Sequence, residues 1–295
     1  MIFKLLFLFS VLPAQAGVNA VATTPDIAWL MRRIGGESIS VKSLAKSQDD
    51  YHFLDARPDF VLSAARADIL CKVGAELEIG WLPKILDRAA NKKIMLGGSG
   101  DCDLSRSVEL GQIPTKPLDR SMGDAHGAGN PHFWLSPLQM AAASKEVEKR
   151  LALVQPNEAI KYKERRELLE KELLTLHARL KKKLEPLQKK KLLEYHKDFF
   201  YFLRDYQLES AGSVEETPGV APSAAYLANL ALEKKGHVAL VLGTNHSQKK
   251  LLEKFQELSG IPSLSLPGSL SNPENPNAYV EWQESIVEAI LLASP

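Results

Sequence analysis

Seven histidines punctuate the 295-residue chain: His52, His126, His132, His177, His196, His237 and His246. Neutral imidazole serves both proton transfer near neutral pH and the ligation of transition metals. Three of the seven fall where an element ends or a loop turns. His52 lies in SQDDYHFLDARPDF after a strand-like run, His132 in GNPHFWLSP ahead of a helix, and His196 in LLEYHKDFFYFLRDYQL, where a strand gives way to an aromatic-rich helix. The backbone around His132 is confined on both sides, because Pro131 fixes its own φ and restricts Asn130, and Pro137 acts likewise at the next helix start. A metal ligand needs such rigidity, since its nitrogen must be held within tenths of an ångström of the cation. His177 within a long helix, His237 at a strand start and His246 in the polar GTNHSQ turn read as structural instead.

The elements that must position these side chains alternate in type. Strand-like runs at 18–23, 38–45, 67–74 and 92–98 are separated by helical stretches, and a second series follows at 191–196, 208–214, 237–243 and 261–267. Strands alternating with helices imply parallel sheets covered on both faces. Between the two series, residues 157–186 hold almost no breakers, and Leu169, Leu173, Leu176, Leu180 and Leu184 recur at steps of three and four. That spacing predicts one apolar stripe on a helix about 45 Å long. The expected architecture is therefore α/β: a lobe over 17–150, a linking long helix over 151–187 and a second lobe over 188–295, each lobe a parallel-type sheet flanked by helices. In open α/β sheets ligands gather beyond the carboxyl ends of the strands, so three strand-end histidines are able to converge there.

Composition narrows the partners. Thirty-seven basic and 36 acidic residues leave a net charge of +1, which removes a broad electrostatic case for nucleic acid. The KKK runs at 181–183 and 189–191 read as a solvated helix face and helix end. Residues 1–16, MIFKLLFLFSVLPAQA, combine Lys4, an apolar run from Leu5 to Leu12 and the small-residue pattern Ala14-Gln15-Ala16. They read as a signal peptide cleaved before Gly17, with no lipidation cysteine after the cut, and predict a periplasmic protein. Cys71 and Cys102 are the two cysteines. An oxidising compartment permits a disulfide, but their separation does not establish proximity, and the strand around Cys71 suits a free thiol packed as a small hydrophobe.

The chain resembles the extracytoplasmic solute-binding receptors of zinc and manganese ABC transporters, cluster A-I. DDYHFLDARPDF matches the first histidine loop at His52, Pro58 and Asp59, with Tyr51 where the family usually has proline. NPHFWLSP matches Asp-Pro-His-x-Trp-x-x-Pro with Asn130 in place of Asp, and HKDFFYFLRDYQL matches the third motif through His196, Phe199, Tyr201, Tyr206 and Leu208. VEETPGVAPSAAYLANL is similar to the Glu-x-x-Pro-Gly-x-x-Pro-Ser stretch that follows. Two departures stand out: SLSLPGSLS carries no acid where many members have a late carboxylate ligand, and DRSMGDAHGAGN offers only Asp119, Asp124 and His126 where zinc receptors have a long loop rich in His and acids. That loop reads equally as a vestigial gathering loop or a Gly-rich linker.

The resemblance implies metal ligation by His52, His132 and His196, with Glu215 the leading candidate for a fourth ligand and Asp124, His126 or a water as rivals. Three imidazoles suit Zn²⁺, whereas Mn²⁺ prefers more oxygen donors. The implied partners are a divalent metal ion and an ABC transporter permease, with the chain a monomer. The competing classes are a secreted zinc hydrolase and a metal-independent adhesin. Against the hydrolase stands the absence of H-E-x-x-H with its adjacent general base.

Overall fold

The computed structural model describes residues 17–115, 123, 124 and 126–294. The expected signal peptide at 1–16 and Asp119 lie outside the described residues. Among the described residues no helix is long and apolar enough to cross a membrane.

Two four-stranded parallel sheets are built from consecutive stretches of chain. The first contains β1 (Val18–Ala22), β2 (Ile39–Ser43), β3 (Ile69–Lys72) and β4 (Asp101–Asp103), in the order β2-β1-β3-β4. The second contains β5 (Lys191–Glu194), β6 (Glu209–Ser213), β7 (Leu240–Thr244) and β8 (Ser263–Leu266), in the order β6-β5-β7-β8. Successive side chains of a strand point to opposite faces. Thus Ala20, Ala22, Ile69 and Cys71 enter the large central core while Val21 and Leu70 face a second cluster with Phe60, Trp81 and Ile85. In the second sheet Leu192, Leu240 and Leu242 join that same central core, and Leu193 and Val241 face outward onto Leu227, Leu252 and Phe255. Burial on both faces explains why the central strands β1, β3 and β7 are mostly apolar, whereas the edge strands β2 and β6 are only partly buried.

The helices α1 (Pro25–Gly35), α2 (Pro58–Ala65), α3 (Leu82–Ala89) and α4 (Pro137–Val154) belong to the first half, and α6 (Phe200–Tyr206), α7 (Ala224–Lys234), α8 (Lys249–Ser259) and α9 (Ala278–Ala293) to the second. Between them runs α5 (Ala159–Leu184). Its buried stripe is Tyr162, Arg166, Leu169, Leu173, Leu176, Leu180 and Leu184, which extends the leucine series by two residues toward its N-terminus. The expected linking segment thus opens on the last turn of α4, and α5 itself starts at Ala159. One end of α5 packs on α1 and α4 and the other on α6 and α9, so a single apolar core runs from one sheet to the other. Arg33 on α1 adds a two-pronged ion pair to Glu172 on α5, at 3.1 and 2.6 Å.

One reading is corrected, and one left open is closed. The strand expected at 92–98 is a series of turns, and the fourth strand is Asp101–Asp103. Gly97, with φ of 84°, and Gly98, whose added Cβ would lie 2.2 Å from the Lys93 carbonyl oxygen, supply conformations an extended run does not need. Cys71 and Cys102 are not free thiols. They are register partners on β3 and β4 and form a disulfide.

Candidate metal centre

The carboxyl ends of both sheets face one cleft, and the loops leaving them carry the histidines. His52 follows β2, His132 precedes α4, and His196 follows β5 by two residues. Their rings lie 5.2 to 5.7 Å apart between centroids. One ligand atom from each falls within 4.8 Å of the other two, the one such group of His, Cys, Asp or Glu donors among the described residues. The surrounding cavity of about 160 Å³ is lined by residues of both lobes, including Tyr51, Trp134, Thr244 and Gly268. It is smaller than the roughly 300 to 1,000 Å³ typical of sites for drug-sized organic ligands.

Each imidazole is held by its Nδ1. Asp50 Oδ1 lies 3.0 Å from His52 Nδ1 and accepts the His52 backbone N–H at 3.0 Å. Asn130 Oδ1 repeats this device two residues before His132, 3.0 Å from Nδ1 and 2.9 Å from the backbone nitrogen. The Asn130 amide cannot turn over without loss, because its Nδ2 donates to Gln112 Oε1 and to the Lys197 carbonyl. His196 Nδ1 lies 2.8 Å from Glu215 Oε2, which also accepts the Gly219 N–H at 2.7 Å. With Nδ1 spent, Nε2 is the free atom of each ring. Those of His52 and His132 are buried without a hydrogen-bond partner.

The loop bearing His132 is clamped to the second lobe. Trp134 donates its indole N–H to the Gly268 carbonyl, Tyr279 donates its hydroxyl to the Trp134 carbonyl, and Ser136 caps α4 while donating to Asp205. Tyr201 donates to the Asn130 carbonyl and accepts from Gly111 N–H. Behind His52, Trp81 donates to the carbonyl of buried Tyr51, the residue standing in the proline position.

Electrostatics separate the three rings. Burial, reinforced by the neighbouring His52 and His196, pushes the His132 imidazole well below its ordinary range. Burial would also lower His196, but Asp198 and the Glu215 hydrogen bond outweigh it and carry that ring up to about 9. Asp198 Oδ1 lies 3.4 Å from His132 Nε2, and burial raises this carboxyl above its usual range.

The expected residues therefore divide. His52, His132 and His196 come together, whereas Glu215 is turned onto the back of His196 and is not among the converging donor atoms. His126 approaches, its ring 5.3 Å from His52 and 6.3 Å from His132, and burial beside His52 and His196 lowers it to about 3. Asp124 lines the cleft. His246, read as structural, is also in the cleft wall, 6.3 Å from Tyr51 between rings, and His177 stacks on Tyr206 at 4.9 Å. Sequence reading passed over Asp50, Asn130 as a positioning group, and Asp198. The first two share a legible signal, a side-chain acceptor two residues before a loop histidine.

Two parallel sheets whose carboxyl ends share one cleft, bridged by a packed helix, define a two-lobed binding protein. The chain belongs to the family described as ZnuA, zinc-uptake complex component A, periplasmic, whose sequence model matches residues 20–293. It is a family of transport components, not enzymes. The zinc-binding lipoprotein AdcA of Streptococcus pneumoniae (strain ATCC BAA-255 / R6) is 22% identical over 250 residues, 84% of this chain and 49% of that protein, so the chain spans about half its length. The high-affinity zinc uptake system protein ZnuA of Paracoccus denitrificans (strain Pd 1222) is 26% identical over 261 residues, 81% of this chain and 80% of that one. A crystal structure of a ZnuA deletion mutant with zinc bound superposes with a TM-score of 0.77 at 22% identity, over 94% of this chain and 98% of that one, and so shares the fold.

Proposed function

We propose that the chain is a periplasmic receptor that captures a divalent transition metal, zinc in preference to manganese, and delivers it to the permease of an ABC transporter. The ion is cargo, held by Nε2 of His52 and His132 from the first lobe, 17–150, and Nε2 of His196 from the second, 188–295. The observation that carries this is the convergence of three imidazole nitrogens within 4.8 Å, each ring steered by a partner on its other nitrogen. Carboxylate or amide acceptors behind ligating histidines fix the tautomer and raise ligand basicity, and Asp50, Asn130 and Glu215 stand in those positions. Glu215 thus positions His196 and is not itself the fourth ligand.

A nitrogen-rich set of this size suits tetrahedral zinc better than manganese, which favours harder oxygen donors. Membership of a zinc-uptake family supports the same choice. Because α5 and one continuous core tie the lobes together, closure on the ion is small, and docking to the permease supplies the force that separates the ligands. Acid weakens capture, since protonated imidazole cannot donate to a metal.

The test is a chelator-competition titration of metal-stripped protein with Zn²⁺, Mn²⁺ and Cu²⁺, with elemental analysis of the reloaded protein. One zinc per chain is expected, retained over manganese. His132→Ala is expected to lower zinc affinity by more than about 100-fold, because removing a ligand exceeds the 10- to 100-fold cost of losing a supporting partner. Zinc affinity unchanged in that variant would end the proposal.

A further inference from the structure

Three neutral imidazoles leave a four-coordinate ion one ligand short, and the late segment 261–271 offers no acid. Most cleft acceptors are already committed: Asp50 Oδ1 to His52, Asn130 Oδ1 to His132, and Glu215 Oε2 to both His196 and Gly219. Asp198 is not. We infer that Asp198 is the fourth ligand, its Oδ1 completing a His₃Asp shell around the metal bound by His52, His132 and His196.

The contact with His132 has the spacing of two ligands on one ion, although Asp198 lies outside the group of three donors within 4.8 Å of one another. Zinc bonds of about 2.0 to 2.1 Å at tetrahedral angles put neighbouring ligand atoms roughly 3.3 Å apart. Asp198 Oδ1 lies 3.4 Å from His132 Nε2. Its other oxygen accepts the Thr244 hydroxyl at 3.4 Å, which orients the carboxylate and leaves Oδ1 available. The side chain is 13% exposed, anchored by its neighbour Phe199, which is wholly buried. Gly268, in the segment without an acid, lines the same cavity. Ligation by Asp198 divides the shell evenly, two groups from loops of the first sheet and two, His196 and Asp198, from the single turn that follows β5. One carboxylate also halves the charge of a buried divalent ion, which three imidazoles leave at its full value.

This inference rests on the proposed metal receptor, and its test separates the two. Zinc affinity by chelator competition and the visible spectrum of the Co²⁺ form are measured for the intact protein, Asp198→Ala, the near-isosteric Asp198→Asn and His132→Ala, and the zinc-loaded protein is crystallised. A Zn–Oδ1 distance of about 2.0 to 2.2 Å is expected. Both Asp198 variants are expected to bind one zinc more than about 100-fold more weakly, beyond the 10- to 100-fold cost of losing a supporting partner, with a shifted Co²⁺ spectrum. Should Asp198→Ala fail to fold, Asp198→Asn carries the comparison. Affinity within twofold of the parent in Asp198→Asn, or a zinc ion bound to the three histidines with Asp198 beyond 3 Å, overturns the Asp198 assignment alone. A parent protein that binds no zinc, or a His132→Ala variant that binds as the parent does, overturns the receptor reading and this inference together.

Discussion

The two sheets are built on one hydrogen-bonding plan. At the end of β1, Thr23 N–H donates to Cys71 O, and Leu44 and Ala45 N–H donate to Ala22 O and Thr23 O. At the end of β5, Tyr195 N–H donates to Leu242 O, and Val214 and Glu215 N–H donate to Glu194 O and Tyr195 O. In this correspondence Thr24 stands where His196 stands, Asp26 where Asp198 stands, and Ala45 where Glu215 stands. The first half spends its strand-end acid on joining the lobes: Asp26 Oδ2 accepts from Ser269 Oγ at 2.6 Å and Oδ1 from Leu270 N–H at 3.2 Å. The second half turns the equivalent residues toward the cleft, with the Glu215 carboxylate in place of a methyl group steering the imidazole. A parallel-sheet switch point is thus a neutral frame, and what it does depends on three or four side chains set into it.

The largest way to break the comparison is at β3 and β7. Cys71 and Cys102 correspond to Leu242 and Leu264, a covalent staple on one side and an apolar pair on the other. Replacing both cysteines by alanine is expected to cost about 3 to 4 kcal/mol, as expected for opening a loop with a sequence separation of 31. Leu242→Ala, at a fully buried position, is expected to cost about 2 to 5 kcal/mol. Denaturant melts of both variants check whether the staple and the packed pair are equivalent. Next in size, Glu215→Gln is expected to weaken zinc binding about 10- to 100-fold at unchanged stoichiometry, read by chelator competition. The matching Ala45→Gln change, where Thr24 stands in the place of His196, should leave zinc affinity within about twofold, on the same scale.

A smaller effect distinguishes the two acids by pH. Burial raises the Asp26 carboxyl from 3.8 to about 7. Over that window the folded state keeps a proton that the unfolded chain has released, so this group's contribution to stability falls as pH rises from 3.8 to about 7 and is level outside it. The slope is at most about 1.4 kcal/mol per pH unit. Denaturation midpoints of Asp26→Asn between pH 4 and 8 should lack that decline relative to the parent, and parallel profiles would reject the assignment. The smallest effect is expected at the half-exposed Lys191–Glu209 pair across β5 and β6: Lys191→Ala should change stability by no more than about 0.5 kcal/mol.

Much of the fold was legible because its determinants are local. The leucine stripe announced α5, and seven of the eight strands fall within the runs of apolar residues that predicted them or one residue beyond. The miss at 92–98 came from reading Ile94, Met95 and Leu96 as a strand when the adjacent glycines make turns, so the short Asp101–Asp103 strand carries the pairing instead. The disulfide was invisible for a related reason: cross-strand register, not spacing along the chain, brings Cys71 opposite Cys102. His52, His132 and His196 were legible as a set from loop context and motif order. Asp198 was not, because an acid two residues after a histidine has no distinguishing pattern until the turn after β5 aims it at His132.

The sequence by itself determined the alternation of strands and helices, the long helix between two halves and the identity of three loop histidines. Periodicity and turn residues act over a few positions and leave their mark in the chain. Only the tertiary structure decided which ring nitrogen each histidine keeps free, that Glu215 stands behind His196, and that Asp198 lies beside His132. Those facts depend on directional contacts of a few ångströms between segments far apart in the chain, and such contacts exist only after both sheets have packed against α5.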